Sequence, residues 1–202
     1  MIGAGSVTAV RAAVVIPVKA FGLAKVRLSS ELSPAARAAF AREMAESVVR
    51  AAGPLPVTVV CDDVDVAAWA VEAGAQVAWT PGLGLDGAVA AGVDAVIAAG
   101  AERVVVAHAD LPLATALGHV VGTEGVLLVP DRRADGTNVI ALPAGSGFRF
   151  AYGPRSFERH RVEARRLGLA VEIREDLALG WDVDVPDDLR LPDGGDLAAA
   201  HR

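Results

Sequence analysis

The sequence predicts an α/β protein in which helices cover both faces of a mostly parallel sheet. Short apolar runs alternate with longer segments whose apolar residues recur at helical spacing. Glycine and proline separate these segments, and no repeat or low-complexity linker interrupts the alternation. A chain of 202 residues, 53% of them hydrophobic, suits one domain with a sizeable core. Strands that alternate with helices build a largely parallel sheet, which binds ligands at the carboxyl ends of its strands.

The first half of the chain predicts four strands and three helices. Ala12–Val18 is an apolar run typical of a buried strand, and the loop Lys19–Ser30 follows it. Ser33 and Pro34 are typical of a helix start, because serine caps free N–H groups and proline fits the first turn. The other elements are strands at Pro56–Cys61, Ala75–Trp79 and Arg103–His108 and helices at Val64–Ala73 and Leu85–Ala99.

The second half predicts three strands, one long helix and a turn that enters a short helix. We expect residues 1–11 to be a flexible N-terminus, residues 12–190 to form the folded domain, and residues 191–202 to be a frayed C-terminal tail. The predicted elements are strands at Gly125–Val129, Thr137–Leu142 and Leu169–Ile173, a helix at Ser156–Leu167 and the turn Asp182–Leu189.

Charge and composition exclude several classes of protein. Nineteen basic and 25 acidic residues give a net charge of −6, which argues against a nucleic-acid binder. The single cysteine, Cys61, excludes a disulfide framework and a cysteine zinc site. No apolar run is long enough for a membrane span, and the N-terminus lacks the pattern of a signal peptide. We therefore expect a soluble, acidic, cytoplasmic protein without membrane contact.

Three residue types are conspicuously rare. The chain has two lysines, Lys19 and Lys25, one asparagine, Asn138, and one glutamine, Gln76. We interpret this as drift towards amino acids with GC-rich codons, under which an exposed lysine readily becomes arginine. The surviving lysines and the asparagine therefore indicate positions where the side chain itself matters.

A basic loop follows the first strand, at the predicted ligand edge of the sheet. Lys19, Lys25 and Arg27 lie in it, and the segment Pro17–Leu28 contains no acid. Clustered cations at this position can neutralise a polyphosphate and the charge that builds during phosphoryl transfer. The alternative is a solvated basic loop, and the scarcity of lysine favours the functional interpretation.

Acidic residues follow two other apolar segments. Asp110 comes directly after the central strand, a common position for a carboxylate that holds a divalent metal at a sheet edge. We expect Asp184 to be a ligand of the same metal, with Asp182 as a further candidate. The alternative roles are a turn cap for Asp110 and a helix N-cap for Asp184. His108 is interpreted as a packed histidine rather than a catalytic base.

Two turns in the second half are candidate anion sites. Thr137 and Asn138 end an Asp-Gly-Thr-Asn turn, which can present N–H groups and a hydroxyl to a phosphate. Gly153 and Ser156 lie at the start of the long helix, where free N–H groups favour an anion. An ordinary tight turn and an ordinary serine N-cap are the alternatives.

Five segments in order resemble one family, the 2-phospho-L-lactate and phosphoenolpyruvate guanylyltransferases of coenzyme F420 biosynthesis. The resemblance runs from about Ala12 to Leu189 and implies a single-domain GT-A-like, Rossmann-like nucleotidyltransferase fold. It also implies transfer of GMP from GTP to the phosphate of a three-carbon acid, with release of pyrophosphate. The segments are PVKAFGLAKVRL (Pro17–Leu28), HADLPL (His108–Leu113), DGTN (Asp135–Asn138), GPRSFERH (Gly153–His160) and DVDVPDDL (Asp182–Leu189).

The resemblance also implies roles for individual residues. Asp110 and Asp184 would hold Mg²⁺, with Asp182 as a third candidate ligand. Lys25 and Arg27 would contact the GTP phosphates, with Lys19 at the same edge. The phosphorylated acid would be bound by Thr137, Asn138, Gly153 and Ser156.

One departure from the family pattern concerns the nucleotide base. The family often has Gly-Leu-Asn before the middle helix, whereas this chain has Asp86 in place of the asparagine. Asp86 is the predicted nucleotide-binding residue on the base side, because a carboxylate can accept hydrogen bonds from the N–H donors of guanine.

The sequence leaves several questions open. The GC-rich bias favours phosphoenolpyruvate as the acceptor, while 2-phospho-L-lactate and 3-phosphoglycerate remain alternatives. Another nucleotidyltransferase, of the molybdopterin guanylyltransferase or cytidylyltransferase type, would normally carry a glycine-rich first loop, which this chain lacks. A non-catalytic nucleotide-binding domain is the third possibility. A homodimer is also left open.

Overall fold

The computed structural model describes residues 11–122 and 124–202, which form seven strands and five α-helices. Short 3-10 turns connect several of them. The strands are β1 (Ala12–Pro17), β2 (Val57–Cys61), β3 (Gln76–Trp79), β4 (Arg103–Ala107), β5 (Val126–Pro130), β6 (Thr137–Pro143) and β7 (Val171–Ile173). The helices are α1 (Pro34–Ala51), α2 (Val64–Glu72), α3 (Gly84–Ala98), α4 (Ser156–Arg166) and α5 (Leu177–Gly180).

All seven strands belong to one sheet, in the order β3-β2-β1-β4-β6-β5-β7. Every neighbouring pair is parallel except β4–β6 and β5–β6, which confirms the predicted mostly parallel sheet. Because β6 runs against the others, its first residues lie at the edge where β4 ends. The N–H of His108, just past β4, donates to the carbonyl of Asn138 at 3.0 Å. The turn before β6 therefore reaches the predicted ligand edge.

Helices cover both faces of the sheet, as predicted. Alternate residues of β1 point to opposite faces. Ile16 joins a core cluster with Val48 of α1, and Val15 joins a cluster on the other face with Val93 of α3. The α3 backbone comes especially close to the sheet at Gly92, where a side-chain methyl would overlap Val60.

The predicted helix starts and element boundaries agree with the structure to within one or two residues. The Ser33 hydroxyl accepts a hydrogen bond from the Ala36 N–H at 3.3 Å, and Pro34 occupies the first turn of α1. Helix α5 was not predicted, because four residues are too few to show a helical period. Asp176 caps its first turn, and the Asp176 carboxylate accepts hydrogen bonds from the N–H groups of Ala178 and Leu179.

The prediction of a frayed C-terminal tail is wrong. Ala198 is fully buried, and Arg190 pairs with Asp196 in an antiparallel bridge. His201 Nε2 lies 2.7 Å from a carboxylate oxygen of Glu43 on α1. Apolar tail residues join a core cluster that contains Phe40, which explains why residues 191–202 pack rather than fray.

The N-terminal prediction is largely untested. Residues 1–10 of the predicted flexible segment lie outside the described residues. Arg11 is described, and its carbonyl accepts from the N–H of Glu102 at 2.7 Å. Within residues 11–122 and 124–202, none of the helices combines the length and apolarity needed to cross a membrane.

Candidate active site

A cavity of about 580 Å³ opens at the carboxyl ends of β1, β2 and β4, where ligands bind in sheets of this type. Its volume is typical of a small-molecule site. Both lysines of the chain, Lys19 and Lys25, line it together with the carboxylates of Asp62 and Asp110. The predicted ligand edge thus carries a pocket that is lined by two of the three predicted cations and by one of the three predicted metal ligands.

The Lys25 ammonium forms an ion pair with Asp110 inside this cavity. Nζ of Lys25 lies 2.7 Å from Oδ2 of Asp110, and the two side chains are 10% and 25% exposed. Lys25 has a left-handed backbone, with φ of 54°, a conformation that is uncommon for a residue other than glycine. Such strain is concentrated at functional sites. The local fold of the first loop therefore directs its buried lysine to the acid after β4.

The other oxygen of Asp110 is buried without a partner. No group in the described part of the chain donates a hydrogen bond to Oδ1. Burial alone would raise the pKa of Asp110, but the charge of the nearby Lys25 ammonium and the hydrogen bond that it donates outweigh burial and hold the pKa below its usual value. An anionic carboxylate with one buried oxygen that lacks a hydrogen-bond donor is the kind of ligand that suits a divalent cation.

Asp182 lies close enough to Asp110 for the two carboxylates to interact electrostatically. Burial and then the Asp110 carboxylate raise the pKa of Asp182 above its ordinary value. The Asn138 amide donates to Asp182 Oδ1 at 3.4 Å and to the Leu179 carbonyl at 3.0 Å. The N–H of Val183 donates to the Asp110 carbonyl at 3.2 Å, so backbone contacts also join the two acidic segments.

The Asp184 side chain is more exposed to solvent than that of Asp110, and it forms an ion pair with Arg27. The turn around it is fixed by the buried Asp188, whose Oδ2 accepts from the N–H groups of Asp184 and Val185 at 2.7 and 2.9 Å. Asp110 and Asp184 are therefore each paired with a cation of the first loop. Across residues 11–122 and 124–202, no three acidic, histidine or cysteine side chains are arranged as a ready-made metal cluster.

Thr137 and Ser156 lie below the surface, each 2% exposed, and bond to groups of the protein. The Ser156 hydroxyl accepts from the Thr137 N–H at 3.1 Å. His160 Nε2 accepts from the Ala151 N–H at 3.0 Å, so the proton of the neutral ring is on Nδ1. Nδ1 then donates to the Thr137 hydroxyl at 2.9 Å. Burial lowers the pKa of His160 to about 4, which keeps the ring neutral.

The two predicted anion-binding turns contact each other through Asp135. Its carboxylate accepts from the Arg155 N–H at 3.1 Å, and its carbonyl accepts from the Phe157 N–H at 3.0 Å. Asp135 therefore occupies amides at the start of α4 that the sequence suggested for a phosphate. Gly153 is exposed, with a left-handed φ of 94°. Of the predicted acceptor residues, Gly153 is thus the one at the surface.

Asp86 contacts Tyr152, the residue before Gly153. It is exposed, and its Oδ1 accepts from the Tyr152 N–H at 2.7 Å. The cavity is lined by the preceding residues Gly84 and Leu85 but not by Asp86. Sequence reasoning missed the cavity carboxylate Asp62, although it follows β2 just as Asp110 follows β4. An acid directly after an apolar strand was the signal that could have identified it.

The strand order, the single reversed strand and the cation-lined pocket define a GT-A-like nucleotidyltransferase fold. A protein from Desulfovibrio desulfuricans G20, provisionally described as a nucleotide-diphospho-sugar transferase, matches 87% of this chain and 83% of its own with a TM-score of 0.69 at 18% identity. A nucleotidyl transferase from Methanothermobacter thermautotroptrophicus matches 88% and 94% with a TM-score of 0.61 at 13% identity. At these identities the likeness establishes the fold.

The family model described as "Guanylyl transferase CofC like" matches residues 12–191, and the chain belongs to this family. It is 33% identical to the phosphoenolpyruvate guanylyltransferase of Sphaerobacter thermophilus, over 87% of this chain and 89% of that protein. It is 36% identical to the enzyme of the same name from Rubrobacter xylanophilus, over 87% and 90%. The 2-phospho-L-lactate guanylyltransferase of Methanoregula boonei is 34% identical over 86% and 78%. The predicted resemblance is confirmed.

A more distant fold relative contains a metal. Glucosyl-3-phosphoglycerate synthase from Mycobacterium tuberculosis, in complex with Mn²⁺ and UDP, matches 82% of this chain and 69% of its own. The TM-score is 0.53 and the identity 15%.

Proposed function

We propose that this protein is a guanylyltransferase of coenzyme F420 biosynthesis, which moves GMP from GTP to the phosphate of phosphoenolpyruvate and releases pyrophosphate. 2-Phospho-L-lactate is the second candidate acceptor. The observation that carries the chemistry is the Lys25–Asp110 pair in the cavity, with Asp110 Oδ1 buried and unpartnered among the described residues. Membership of a guanylyl transferase family and the names of its relatives support the choice of nucleotide and acceptor.

The cations of the first loop meet the triphosphate. Lys19 and Lys25 line the cavity, and Arg27 lies at the site through its pair with Asp184. Two like charges about 4 Å apart repel by about 4 kcal/mol at an effective dielectric near 20, so two phosphorylated substrates need cations between them. Lys25 and Arg27 supply these charges when they turn from their carboxylates to the phosphates.

The carboxylates are suited to a divalent cation. Asp110 and Asp182 would hold Mg²⁺, with Asp184 as a further ligand once Arg27 has turned to the nucleotide. The bound cation would act as a Lewis acid and neutralise charge on the phosphates. The unpartnered Oδ1 of Asp110 and the raised pKa of Asp182 beside it support this donor set.

The acceptor phosphate is already a nucleophile, so the reaction needs no strong general base. One of its oxygens bonds to the α-phosphorus of GTP, the bond from that phosphorus to the bridging oxygen breaks, and pyrophosphate leaves with the electron pair. Gly153 would contact the acceptor at the surface of the turn. Thr137, Asn138 and Ser156 lie just beneath and hold the turn in position. The main task of the chain is to bring the two substrates into line.

A pyrophosphate-release assay tests this function. GTP, CTP and ATP are each combined with phosphoenolpyruvate, 2-phospho-L-lactate and 3-phosphoglycerate in the presence of Mg²⁺. We expect release with GTP and phosphoenolpyruvate, and slower release with 2-phospho-L-lactate. Release with CTP alone would indicate a cytidylyltransferase. Binding of GTP without release for any acceptor would indicate a non-catalytic nucleotide-binding domain.

A further inference from the structure

Asp62 is a cavity carboxylate that the proposed chemistry does not use. It follows the last residue of β2 and lines the same pocket as Thr80 and Leu85. Of the cavity-lining residues that the structure describes, Asp62 and Asp110 are the two acids. Asp110 is paired with Lys25, whereas Asp62 forms no ion pair within residues 11–122 and 124–202.

Asp62 and Asp110 follow the two strands that flank β1. Val15 of β1 pairs with Thr58 of β2 on one side and with Val106 of β4 on the other. Asp62 is the first residue after β2, and Asp110 is the third residue after β4. The ends of these two strands are separated by two strand spacings, on the order of 10 Å. This separation is comparable with the span from the α-phosphate of a nucleotide to its base.

An anionic Asp62 cannot favourably face the phosphates of a nucleotide, because like charges repel. It can face hydrogen-bond donors, and the Watson–Crick edge of guanine presents two of them, the N1–H and the 2-amino group. We propose, on the basis of the guanylyltransferase function above, that Asp62 accepts both donors and is the residue that selects guanine. Adenine presents an acceptor where guanine has N1–H, so the same carboxylate rejects ATP.

The surroundings of Asp62 suit a base. The Thr80 N–H and hydroxyl both donate to the Cys61 carbonyl, at 2.9 and 3.3 Å, and this fixes the backbone from which Asp62 projects. Leu85 and Ala88 supply apolar surface to the same cavity, against which a ring can pack. Asp86, the residue first predicted for the base, instead contacts the Tyr152 N–H.

The decisive variant is Asp62→Asn, tested with GTP and with xanthosine triphosphate. The oxygen of an asparagine amide can still accept a hydrogen bond from N1–H. Its NH₂ group donates a hydrogen bond at the place where Asp62 would accept one from the 2-amino group of guanine, and it therefore matches the 2-oxo group of xanthine. Asp65→Asn is the control. Asp65 is an exposed residue of α2 that does not line the cavity, and its substitution removes the same negative charge. Equilibrium binding of both nucleotides is measured together with pyrophosphate release.

We expect Asp62→Asn to weaken GTP binding by about 10-fold to 100-fold, as a lost hydrogen bond to a charged group implies. Binding of xanthosine triphosphate should become tighter than in the wild type, and Asp65→Asn should match the wild type with both nucleotides. Unchanged GTP binding by Asp62→Asn would overturn the proposal.

A contact of Asp62 with the ribose would also overturn it. In that case the wild type would lose a similar factor with 2′-deoxyGTP, and xanthosine triphosphate would bind no better to Asp62→Asn. Binding is measured without turnover, so it separates this proposal from the one above. A wild type that binds GTP through Asp62 but releases no pyrophosphate would overturn the proposed function and leave the role of Asp62 supported.

Discussion

The Lys25 ammonium lies 2.7 Å from one oxygen of the Asp110 carboxylate, whose other oxygen is buried and has no partner in the described chain. The same contact neutralises a cation suited to GTP and an anion suited to a metal. A triphosphate that attracts Lys25 leaves Asp110 with its full negative charge. We therefore expect nucleotide and metal to bind together more strongly than either binds alone.

Replacing Lys25 by alanine should separate the two binding events. The variant would lose the proposed phosphate contact, so we expect the KM for GTP to rise by about tenfold or more. It also loses the cation that competes for Asp110, so Mn²⁺ without nucleotide should bind about tenfold more tightly. Pyrophosphate release measures the KM for GTP, and electron paramagnetic resonance of free Mn²⁺ measures the affinity for the metal.

Lys19→Ala is the matched control for this experiment. Lys19 lines the same cavity and has no carboxylate partner within the described residues. The control should weaken GTP use without changing Mn²⁺ affinity. An effect of Lys25→Ala on the acceptor KM alone would mean that Lys25 contacts the other substrate.

Replacing Asp110 by asparagine should nearly abolish turnover while the fold is retained. Asparagine keeps the shape and an acceptor for Lys25 but loses the charge that a divalent cation needs. The loss should exceed the 10–100-fold typical of residues that only support a metal ligand. Asp94→Asn, on the exposed side of α3, is the control for activity, and thermal unfolding checks the fold. Wild-type turnover by Asp110→Asn would exclude Asp110 as a metal ligand.

The buried His160 should make the protein less stable in mild acid. Burial lowers its pKa from 6.5 to about 4, so between these values the unfolded chain binds the proton more readily than the folded one. The stability that the neutral ring provides is complete above pH 6.5 and is lost as the pH falls towards 4. The loss in the free energy of unfolding amounts to about 3 kcal/mol at most.

Urea unfolding of the wild type and His160→Gln at pH 7 and pH 4.5 measures this contribution. The variant should be less stable at pH 7 but should lose less free energy of unfolding on acidification. The other titrating groups are common to both proteins and cancel in the comparison. Equal losses in the two proteins would show that His160 is not responsible.

Gly92 should resist even the smallest substitution. Glycine to alanine within a helix ordinarily stabilises a protein by about 0.5–1 kcal/mol. At position 92 the new methyl would overlap Val60 and lie 2.9 Å from Val15 Cγ1, so we expect a loss of about 1–3 kcal/mol. Gly118→Ala, where a methyl meets open space, is the control in urea unfolding. A Gly92→Ala protein as stable as the wild type would contradict the close packing of α3.

The sequence predicted the elements of the fold well, because their signals are local. The apolar run at β1 and the Ser33–Pro34 start of α1 need no knowledge of distant residues. The packing of residues 191–202 was missed, because their few apolar residues stand among glycine and aspartate and make no periodic pattern. Their burial depends on Phe40, which is distant in the sequence.

The site was predicted less completely, for a similar reason. The carboxyl-edge rule identified the basic loop and Asp110, but the Lys25–Asp110 contact joins residues 85 positions apart and has no local pattern. The burial of Thr137 and Ser156 depends on His160, a tertiary contact. Asp62 carried the same signal as Asp110 but lies among several acids in a short segment, which obscured it.

The reversal of β6 has a consequence for how this family diversifies. The cavity is lined entirely by residues from Pro17 to Asp110, whereas the candidate acceptor residues lie beyond β5. The candidate residues for the two substrates thus lie in successive halves of the chain, which meet where β6 runs back beside β4. Under the proposed roles, substitutions in the second half would change which three-carbon acid is bound and would leave the lining of the cavity unchanged. Relatives named for two different acceptors are the outcome that such an arrangement favours.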